Sequence, residues 1–278
     1  MSDWSLAGRA VAITGASGGI GRETALALAR EGAHLLLIGR QPARYRNLIE
    51  EVAEGGGNAD LTEADLRDLG SVAEAGRALA VRDRPPTVLI NNAGVTGQGQ
   101  TNDGFDLAFG VNHLAHYLLT RILLDHLIAA SPARILNVSS NAHYGLRDFR
   151  WSSAYQPRRS LTGFSQYRHS KAANVAFTFE LARRLEGTGV AAVAIHPGLV
   201  ATGLWRRILP PLQGWVTSRM ISPQEGACTT ITCAISPSLQ PGAYYTPEGI
   251  RTPAPYTTDP GTSAGLWTLS EDLVGTWL

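Results

Sequence analysis

Tyr167 and Lys171 are the side chains of this sequence with the clearest chemical potential, and they stand four positions apart. Residues with this spacing share one face of an α-helix, with Cβ atoms about 5–6 Å apart. An ammonium beside a phenol favours the phenolate and lowers the phenol pKa from about 10. A phenol tuned in this way can exchange a proton with a carbonyl oxygen near neutral pH. Because such pairs also arise by chance, the interpretation depends on the segments that position them.

A glycine-rich turn near the start of the chain is the first such segment. An apolar stretch over 9–14 runs into Thr14-Gly-Ala-Ser-Gly-Gly-Ile-Gly21, and a helical pattern follows over 22–30. A strand, a glycine turn and a helix form the context that a dinucleotide-binding fingerprint requires. Glycines let the backbone approach a pyrophosphate, and the helix N-terminus offers unpaired N–H groups. The spacing is Gly-x3-Gly-x-Gly rather than the commoner Gly-x-Gly-x-x-Gly, so a plain tight turn is the alternative.

The end of the second predicted strand bears on which nucleotide binds. Residues 33–38 form an apolar run, as expected for a strand buried on both faces. NAD-specific folds usually carry an acidic residue after this strand, where it binds the ribose 2′-hydroxyl. Here Gly39-Arg40 stands instead, and an arginine fork suits a 2′-phosphate. The sequence therefore favours NADP, with a solvated arginine as the alternative.

Polar side chains also end other predicted strands. Thr14, Arg40, Asn91 and Ser140 each follow an apolar run. In open parallel sheets, ligands bind beyond the carboxyl ends of the strands. Small polar residues can simply begin loops, but four of them on one edge of a sheet favour a shared binding site.

Strand and helix patterns alternate along the chain. This alternation predicts an α/β fold, in which a single domain over 1–278 contains a doubly wound parallel sheet of about seven strands, a Rossmann fold, with helices on both faces. A loop is expected over 241–260 and a short terminal helix over 261–278. The predicted strands cover 9–14, 33–38, 58–61, 87–91, 133–139, 190–196 and 242–246, and the clearest helices cover 19–31, 42–54, 68–81, 103–130 and 164–187.

Composition limits the class of protein and its partners. The 278 residues are 44% hydrophobic with a formal net charge of +1, which gives no electrostatic reason to expect nucleic acid or a membrane surface as partner. The N-terminal residues suggest neither a secretion signal nor an apolar membrane anchor. Cys228, Cys233 and the histidines show neither disulfide nor metal-ligand spacing. We therefore expect buried free thiols, no metal and a cytoplasmic location.

In combination, these motifs make the chain resemble the short-chain dehydrogenases/reductases over essentially its whole length. The sequences of three segments, 109–120, 167–174 and 196–202, resemble one branch of this family in particular, the retinol-dehydrogenase-like and WW-domain-oxidoreductase-like enzymes. The segments that carry the family resemblance are Thr14-Gly-x3-Gly-x-Gly21, Asp65-Leu66, Asn91-Asn-Ala-Gly94, Asn112, Ser139-Ser140, Tyr167-x3-Lys171 and Pro197-Gly198.

The resemblance implies an enzyme that transfers hydride between a nicotinamide and a ketone, aldehyde or secondary alcohol. Tyr167 would be the general acid and base, and Lys171 would lower the phenol pKa and bind the nicotinamide ribose. Ser140 would orient the carbonyl oxygen by a hydrogen bond; the family's paired serines favour it over Ser139, which sequence alone does not separate. Asn112 would hold a water that connects Lys171 to solvent, and an amide satisfied by the backbone is its alternative role.

The resemblance also implies an extended cofactor site for NADP, with NAD less favoured. Family members commonly pair through the helices that correspond to 103–130 and 164–187, so a homodimer or homotetramer is one expectation, unless the insertion described next covers that face. The implied cofactor-binding positions are Gly15, Ser17, Gly19, Ile20, Gly21, Arg40, Asp65, Leu66, Asn91, Ala93, Gly94, Tyr167, Lys171, Pro197, Gly198, Val200 and Thr202.

Two segments are expected to enclose the substrate. The insertion 141–166 begins and ends beside the reacting groups and is longer than in the shortest family members. Its aromatic residues favour a large or partly planar apolar substrate, while its arginines either meet an anionic group or form a solvated face. The apolar segment 203–222 predicts a mobile lid, with an amphipathic core helix as the alternative. The aromatic residues of the insertion are Tyr144, Phe149, Trp151 and Tyr155.

Two other functions stay open at the level of sequence. A catalytically silent nucleotide-binding protein could keep the fold, but the intact set Asn112, Ser140, Tyr167 and Lys171 argues against it, since a binder needs no tuned phenol. A cyclase, dehydratase or epimerase could use Tyr167 as an acid without redox chemistry, and fold alone does not decide between these activities. The sequence identifies neither the substrate nor the direction of the reaction.

Overall fold

A single eight-stranded sheet forms the centre of the computed structural model, which describes residues 4–146, 150–157, 162–200 and 220–278. The spatial order of the strands is 3-2-1-4-5-6-7-8. Neighbouring strands pair in parallel, except that the last two are antiparallel. The strands are β1 (Ala10–Thr14), β2 (His34–Gly39), β3 (Asn58–Glu63), β4 (Val88–Asn91), β5 (Ala133–Val138), β6 (Val190–Ile195), β7 (Tyr244–Thr246) and β8 (Gly249–Arg251).

Helices cover both faces of the sheet, which confirms the predicted doubly wound α/β fold. The helices are α1 (Gly19–Arg30), α2 (Arg46–Glu54), α3 (Leu69–Ala80), α4 (Leu107–Phe109), α5 (Ala115–Ala129), α6 (Trp151–Ala154), α7 (Phe164–Arg184), α8 (Pro223–Ile235), α9 (Pro255–Thr258) and α10 (Pro260–Val274). One apolar core lies between the sheet and α3, α5, α7 and α10, and a second lies between the sheet and α1, α2 and α8.

The eighth strand departs from the expected seven. β8 lies in the stretch 241–260 that was predicted as loop, and α9 lies there too. All three residues of β8 are exposed, so the strand carries no apolar alternation that a sequence pattern could reveal. Within the described part of the chain, it pairs with β7 alone, at the edge of the sheet.

The strand order reverses between β1 and β4, which both lie at the centre of the sheet. β1 pairs with β2 on one side and with β4 on the other, so the connections leave these strands in opposite directions. A crevice opens beyond the carboxyl ends of strands at such a reversal. The glycine turn after β1 and the polar residues after β4 therefore meet there.

A π-helical turn interrupts the helix predicted over 103–130. The helix begins at α4, where the Asp106 carboxylate accepts hydrogen bonds from Ala108 N and Phe109 N. The π-helical segment Gly110–Leu114 follows, and Ala115 N–H donates to Gly110 O, five residues back. Such turns are often found at functional sites, and this one contains Asn112.

The terminal helix α10 packs on α5 and α7. Trp267 is buried, and the guanidinium carbons of Arg121 and Arg184 lie 5.5 and 4.2 Å from its ring centroid. Arg121 also forms an ion pair with Glu271 at 2.9 Å. Arg121 therefore connects the terminal helix to α5, and the cation–π contact of Arg184 connects it to α7, the helix that carries Tyr167 and Lys171.

The chain between β6 and α8 is bracketed by a short parallel bridge. Val200 pairs with Ile221, and Ile221 N donates to Leu199 O at 2.9 Å. The predicted lid 203–222 lies outside the described residues except for 220–222, and Thr202 lies outside them entirely.

Three further findings concern the described residues alone. None of the helices found there has both the length and the apolarity needed to span a membrane. The same residues contain no group of three side chains able to hold a metal ion. Both cysteines are free, but only Cys233 is buried; Cys228 is exposed on α8, so the expectation of two buried thiols was wrong for Cys228.

Candidate active site

A cleft of about 640 Å³ opens beyond the carboxyl ends of the central strands. It brings the glycine turn after β1, the end of β2, the loop after β4 and the start of α7 together. Thirteen of the positions implied by the family resemblance line it: Gly15, Ser17, Gly19, Ile20, Gly21, Arg40, Asp65, Leu66, Ala93, Gly94, Tyr167, Lys171 and Pro197.

The glycine turn lies close against the loop after β4. Gly15 has a φ of +72°, and a Cβ on it would lie 2.8 Å from Ala93 Cα. A Cβ on Gly21 would lie 2.5 Å from Asn92 Nδ2. Larger residues would therefore push the two walls of the cleft apart. These glycines are required by close backbone approach, as expected for a turn that binds phosphate.

The N-terminus of α1 suits a pyrophosphate. Its N-cap is Gly18, which has no side chain to satisfy the first N–H groups, and the first turn of this fully described helix holds no acidic residue. Unpaired N–H groups and the positive end of the helix dipole both favour an anion. The residues present therefore fit the phosphates of a dinucleotide.

Thr14 fixes the opposite wall of the cleft. Its hydroxyl oxygen accepts hydrogen bonds from Asn92 N and Ala93 N, each at 3.0 Å. The Asn92 side chain in turn donates to Thr14 O at 2.8 Å. The end of β1 and the loop after β4 are thereby held in one arrangement.

The assignment of Asn91 to the cofactor site was wrong for its side chain. Asn91 is 1% exposed, and its Nδ2 donates to Thr120 Oγ1 at 3.0 Å and to Asn137 Oδ1 at 2.7 Å. These partners lie inside the fold, between the sheet and α5. Consecutive residues at a strand end point in opposite directions, so the neighbouring Asn92 lines the cleft instead.

Arg40 lies at the rim of the cleft beside the Asp65 carboxylate, a pairing that the sequence did not predict. Its Nη1 is 3.6 Å from Asp65 Oδ2, and the two side chains are 49% and 34% exposed. Asp65 follows β3, which pairs with β2, and therefore reaches the same edge. Arg44 lines the cleft as a second guanidinium. With Arg67, three arginines line the cleft, and Arg40 is the one paired with Asp65.

Tyr45 closes the end of β2 and was not predicted. The ring is 3% exposed, its hydroxyl donates to Ile38 O at 3.2 Å and also contacts the Ser17 hydroxyl, and burial raises the pKa of the phenol. A Cβ on Gly39 would overlap the Tyr45 hydroxyl and ring. Gly39 therefore leaves space for an aromatic residue that supports the glycine turn from below.

Tyr167 lies in the first turn of α7 and is 4% exposed. Burial raises its pKa to about 12, and a hydrogen bond with the Ser140 side chain opposes this rise. Ser139 instead donates to Lys171 O at 2.7 Å, so the structure brings Ser140, and not Ser139, to the phenol. The phenol is therefore protonated at neutral pH.

Lys171 is buried one helical turn from Tyr167. Its Nζ donates to Val138 O at 3.0 Å and lies 5.8 Å from the Tyr167 ring centroid. Burial lowers the pKa of Lys171 to about 8. The expected lowering of the phenol pKa by Lys171 was wrong for the protein alone, because desolvation of the phenol is the largest influence on its pKa and raises it.

Asn112 has all its side-chain atoms engaged. Its Oδ1 accepts from Val95 N at 2.8 Å, and its Nδ2 donates to Val95 O at 3.0 Å and to Ser170 Oγ at 2.9 Å. A Cβ on Gly94 would lie 3.5 Å from Lys171 Nζ and 3.7 Å from Asn112 Oδ1, so both side chains approach Gly94. The amide holds the loop that lines the cleft, as in the alternative role for this residue.

Besides Asn91, two described positions of the implied cofactor site do not line the cleft. Gly198 has a φ of +91°, and a Cβ on it would lie 2.7 Å from Ile221 Cδ1. Val200 is 3% exposed and packs beside Gly226 of α8. The turn requires a glycine at position 198, and Val200 is required for packing. Both residues support the bridge to Ile221.

The aromatic residues of the insertion 141–166 do not act together. Trp151 is buried, and its Nε1 donates to Thr262 O of α10 at 2.8 Å. Tyr155 packs edge-on against Phe105. Tyr144 remains 45% exposed, with its hydroxyl bonded to Thr252 O at 2.6 Å. Phe149 lies outside the described residues. The expectation that these residues wall the pocket was wrong for Trp151 and Tyr155, because an indole N–H and large apolar rings find partners in the core.

Sequence reasoning missed several residues of the cleft. Asn92 belongs to the recognised motif Asn91-Asn-Ala-Gly94, but the sequence did not indicate that its side chain, rather than that of Asn91, faces the cleft. The segment after Gly39 carries a weak signal, in that Arg44 and Tyr45 follow a strand end where a nucleotide should lie. The remaining residues of the cleft that were not predicted are Gly18, Ile38, Gly39, Gln41, Ala64, Arg67, Val95, Leu107, Val111, Val138 and Ser139.

Comparisons with known proteins agree with this arrangement. Human retinol dehydrogenase 12 is 37% identical over 281 residues, covering 97% of this chain and 87% of that protein. The crystal structure of an uncharacterized protein from Mycobacterium paratuberculosis superposes with a TM-score of 0.79 at 33% identity, covering 98% of this chain and 95% of the other. A protein described as an NAD(P)-dependent gluconate 5-dehydrogenase from Beutenbergia cavernae, solved with bound NADP, gives a TM-score of 0.70 at 28% identity, covering 87% of this chain and 96% of the other.

The family assignment follows from sequence and geometry together. A family model described as short chain dehydrogenase matches residues 9–212. Curated relatives at 35–37% identity, which include human retinol dehydrogenases 11, 12 and 13, extend the match over nearly the whole chain. With its glycine turn, its Tyr167–Lys171 pair and its doubly wound sheet around one cleft, the chain belongs to the short-chain dehydrogenase family, in the retinol-dehydrogenase-like branch.

Proposed function

We propose that this protein is an NADP-dependent oxidoreductase that interconverts a carbonyl compound and an alcohol. One observation carries the proposal: the Tyr167 phenol and the Lys171 amine open into the same cleft as the phosphate-binding turn. A nucleotide seated on the turn would extend along the cleft toward these two groups. The closeness of a proton donor to a nicotinamide site is what carbonyl reduction requires.

Tyr167 is the proton donor in reduction. With a pKa of about 12, the phenol holds its proton at neutral pH and can give it to the carbonyl oxygen of a substrate. Ser140 contacts the same phenol and would donate a hydrogen bond to that oxygen, which fixes the carbonyl and stabilises developing charge. When bound, the nicotinamide supplies or accepts the hydride.

Lys171 restores the proton and binds the cofactor. Its pKa of about 8 lies close to neutral pH, where an amine gives up and regains a proton readily. In the oxidation of an alcohol the same groups act in reverse, and Tyr167 must then release its proton as the hydroxyl is deprotonated. The amine would also hold the ribose hydroxyls.

NADP is the preferred cofactor in this proposal. Arg40 and Arg44 both lie at the end of the cleft beyond β2, where a ribose 2′-phosphate would bind, and guanidinium groups form strong charge-assisted bonds to phosphate. Asp65 opposes this preference in part, because it is paired with Arg40. The NADP in the Beutenbergia cavernae relative supports the same assignment.

The substrate proposed is a ketone, aldehyde or secondary alcohol with a sizeable apolar group. The relatives named retinol dehydrogenases support an apolar alcohol or aldehyde. Tyr144 and Leu199 are two large side chains that stay exposed beyond the strand ends. They follow Ser140 and Pro197 closely in the chain and offer apolar surface near the reacting groups.

The proposal is tested by following the absorbance of NADPH with a panel of apolar ketones and aldehydes. We expect consumption of NADPH by the wild-type protein and its loss in Tyr167→Phe, with NADP binding retained. Tyr245→Phe is a matched control, since the Tyr245 hydroxyl accepts from Gln240 N at 2.9 Å and the residue is not among those that line the cleft. Tight NADPH binding without consumption of cofactor by any substrate, together with conversion of a substrate, would favour a cyclase, dehydratase or epimerase instead.

A further inference from the structure

His116 is a buried titratable group that the proposed reaction does not use. It lies in the first turn of α5 and is 2% exposed. Both ring nitrogens have partners: Nδ1 lies 3.0 Å from Asn112 O, and Nε2 lies 2.9 Å from Thr14 Oγ1. The imidazole therefore spans from the π-helical turn to the end of β1.

The partners of His116 fix its protonation state. A main-chain carbonyl only accepts, so Nδ1 must carry the hydrogen that bonds to Asn112 O. Thr14 Oγ1 already accepts from Asn92 N and Ala93 N, so its own hydrogen is directed at Nε2. The ring is thus the neutral Nδ1–H tautomer, and each hydrogen bond in the series has one direction.

His116 joins two clamps on the loop 92–95, which lines the cleft. Thr14 holds the start of this loop through Asn92 N and Ala93 N, and Asn112 holds its end through both polar groups of the Val95 main chain. A hydrogen-bonded series therefore runs from the nucleotide side of the loop to Asn112.

The same series continues beneath Tyr167. Asn112 Nδ2 donates to Ser170 Oγ, which donates to Tyr167 O at 2.9 Å. The charged and titratable groups that act on His116 are Lys171 from α7 and His113 from the π-helical segment. A positive charge on the imidazole would face Lys171 and set an N–H donor against the Thr14 hydroxyl, so the neutral form is required for the arrangement.

We propose that His116 is a positioning residue that couples the cofactor wall of the cleft to the Asn112–Lys171 side. It touches neither substrate nor cofactor and acts through Thr14 and Asn112. This inference rests on the proposed function, in that the loop 92–95 is taken to contact NADP. The Thr14 bond sets cofactor affinity, and the Asn112 bond sets the rate of turnover.

Two substitutions separate the bonds. His116→Gln places an acceptor near the position of Nε2 and loses the donor to Asn112 O, whereas His116→Asn places a donor near Nδ1 and loses the acceptor for Thr14. We expect His116→Asn to raise the Kd of NADP about tenfold, as for loss of a buried hydrogen-bond partner, with little change in kcat. His116→Gln should lower kcat about tenfold and leave the Kd within about twofold.

His113→Asn is the matched control. His113 is equally buried, three positions earlier, but its Nε2 contacts Ser270 Oγ of α10 at 2.8 Å rather than the cleft loop. We expect a lower Tm with an unchanged Kd for NADP. Long-range ¹H–¹⁵N spectra of the unliganded protein should include a neutral Nδ1–H imidazole signal that persists between pH 5 and 8 and disappears in both His116 variants. A second Nδ1–H signal is expected from His143, whose Nδ1 contacts Ser140 O and whose Nε2 accepts from Ala254 N, and it should remain in both variants.

Each outcome bears on the proposal separately from the proposed function. If His116→Asn and His116→Gln change the Kd of NADP by the same factor, or if neither changes it, the coupling role is wrong. An Nε2–H tautomer or a titrating His116 signal contradicts it as well. Wild-type protein that binds NADP but oxidises no NADPH with any carbonyl refutes the proposed oxidoreductase activity, while the contrast in Kd and the spectra still decide the role of His116.

Discussion

Substitution of Arg40 by glutamine should change which dinucleotide binds, because this guanidinium lies where the 2′-phosphate of NADP is proposed to bind. Arg40 follows β2 at the rim of the cleft, 49% exposed, with its Nη1 3.6 Å from Asp65 Oδ2. Glutamine keeps a polar side chain but removes the charge. NAD lacks the 2′-phosphate and serves as the internal comparison.

The expected loss is the difference between two interactions. A hydrogen bond to a charged group contributes about 1.5–3 kcal/mol, whereas an exposed ion pair such as Arg40–Asp65 contributes about 0.2–1 kcal/mol. Because Arg40 must share or leave Asp65 to meet the phosphate, the net loss should be about 1–2 kcal/mol, or about five- to thirtyfold in the Kd of NADP. The Kd of NAD should stay within about twofold.

Asp65→Asn should act in the opposite direction. Without the carboxylate, Arg40 is free for the phosphate and one negative charge near it is removed, so NADP should bind up to about fivefold more tightly. Titration of fluorescence with NADP and NAD for the two variants and their combination gives a double-mutant cycle. Arg46→Gln is the control, because Arg46 is exposed on α2 and does not line the cleft. An unchanged ratio of the two Kd values in Arg40→Gln would refute the assignment of Arg40.

Two more predictions concern stability. Burial lowers the pKa of Lys171 from 10.5 to about 8, so the unfolded chain binds the extra proton between these pH values, and the free energy of unfolding rises with pH in that window. In Lys171→Met, Val138 O keeps a hydrogen bond from Asn174 Nδ2. Urea unfolding should find this variant up to about 3 kcal/mol more stable than wild type at pH 7, and the difference should close toward pH 10.5. A variant that is destabilised equally at both pH values contradicts this reasoning. Gly39→Ala should lower Tm because its Cβ would overlap the Tyr45 side chain. The double variant Gly39→Ala/Tyr45→Ala should lose less Tm than the sum of the two single losses. Additive losses of Tm would show that the two positions do not compete for space.

Local patterns were sufficient to predict the frame of the molecule. Continuous apolar runs such as 33–38 predicted the parallel strands, because a strand buried on both faces carries apolar residues throughout rather than alternating apolar and polar residues. The glycine turn and the spacing of Tyr167 and Lys171 then located the cleft, because both motifs depend on contacts within a few residues. The strand-end rule joined them without any knowledge of tertiary contacts.

Errors arose where a side chain has a choice of partners distant in sequence. Asn91 and Asn92 are identical neighbours, yet only the second lines the cleft, because the first meets Thr120 and Asn137 inside the fold. Arg40 and Asp65 were both assigned to the cofactor site, but their pairing was not predicted, because it depends on β3 bringing Asp65 to the same edge as the end of β2. Trp151 was assigned to the substrate, whereas α10 supplies its hydrogen-bond acceptor.

The electrostatic state of the site was also beyond a spacing argument. Two residues four positions apart on a helix predict that a lysine charge reaches a phenol, but not how deeply both are buried. Desolvation raises the pKa of Tyr167 and lowers that of Lys171. Both changes follow from packing around α7, which involves the terminal helix and the loop after β5.

The bridge between Val200 and Ile221 has a consequence for how new specificities could arise. It brings the two ends of the connecting stretch 201–220 side by side, on a frame formed by β6 and α8. For a stretch closed in this way, doubling its length costs only about 0.6 kcal/mol of closure entropy. Evolution, or an engineer who transplants the stretch from a relative, can therefore change its length and composition while Tyr167, the proposed proton donor, and the glycine turn stay in place.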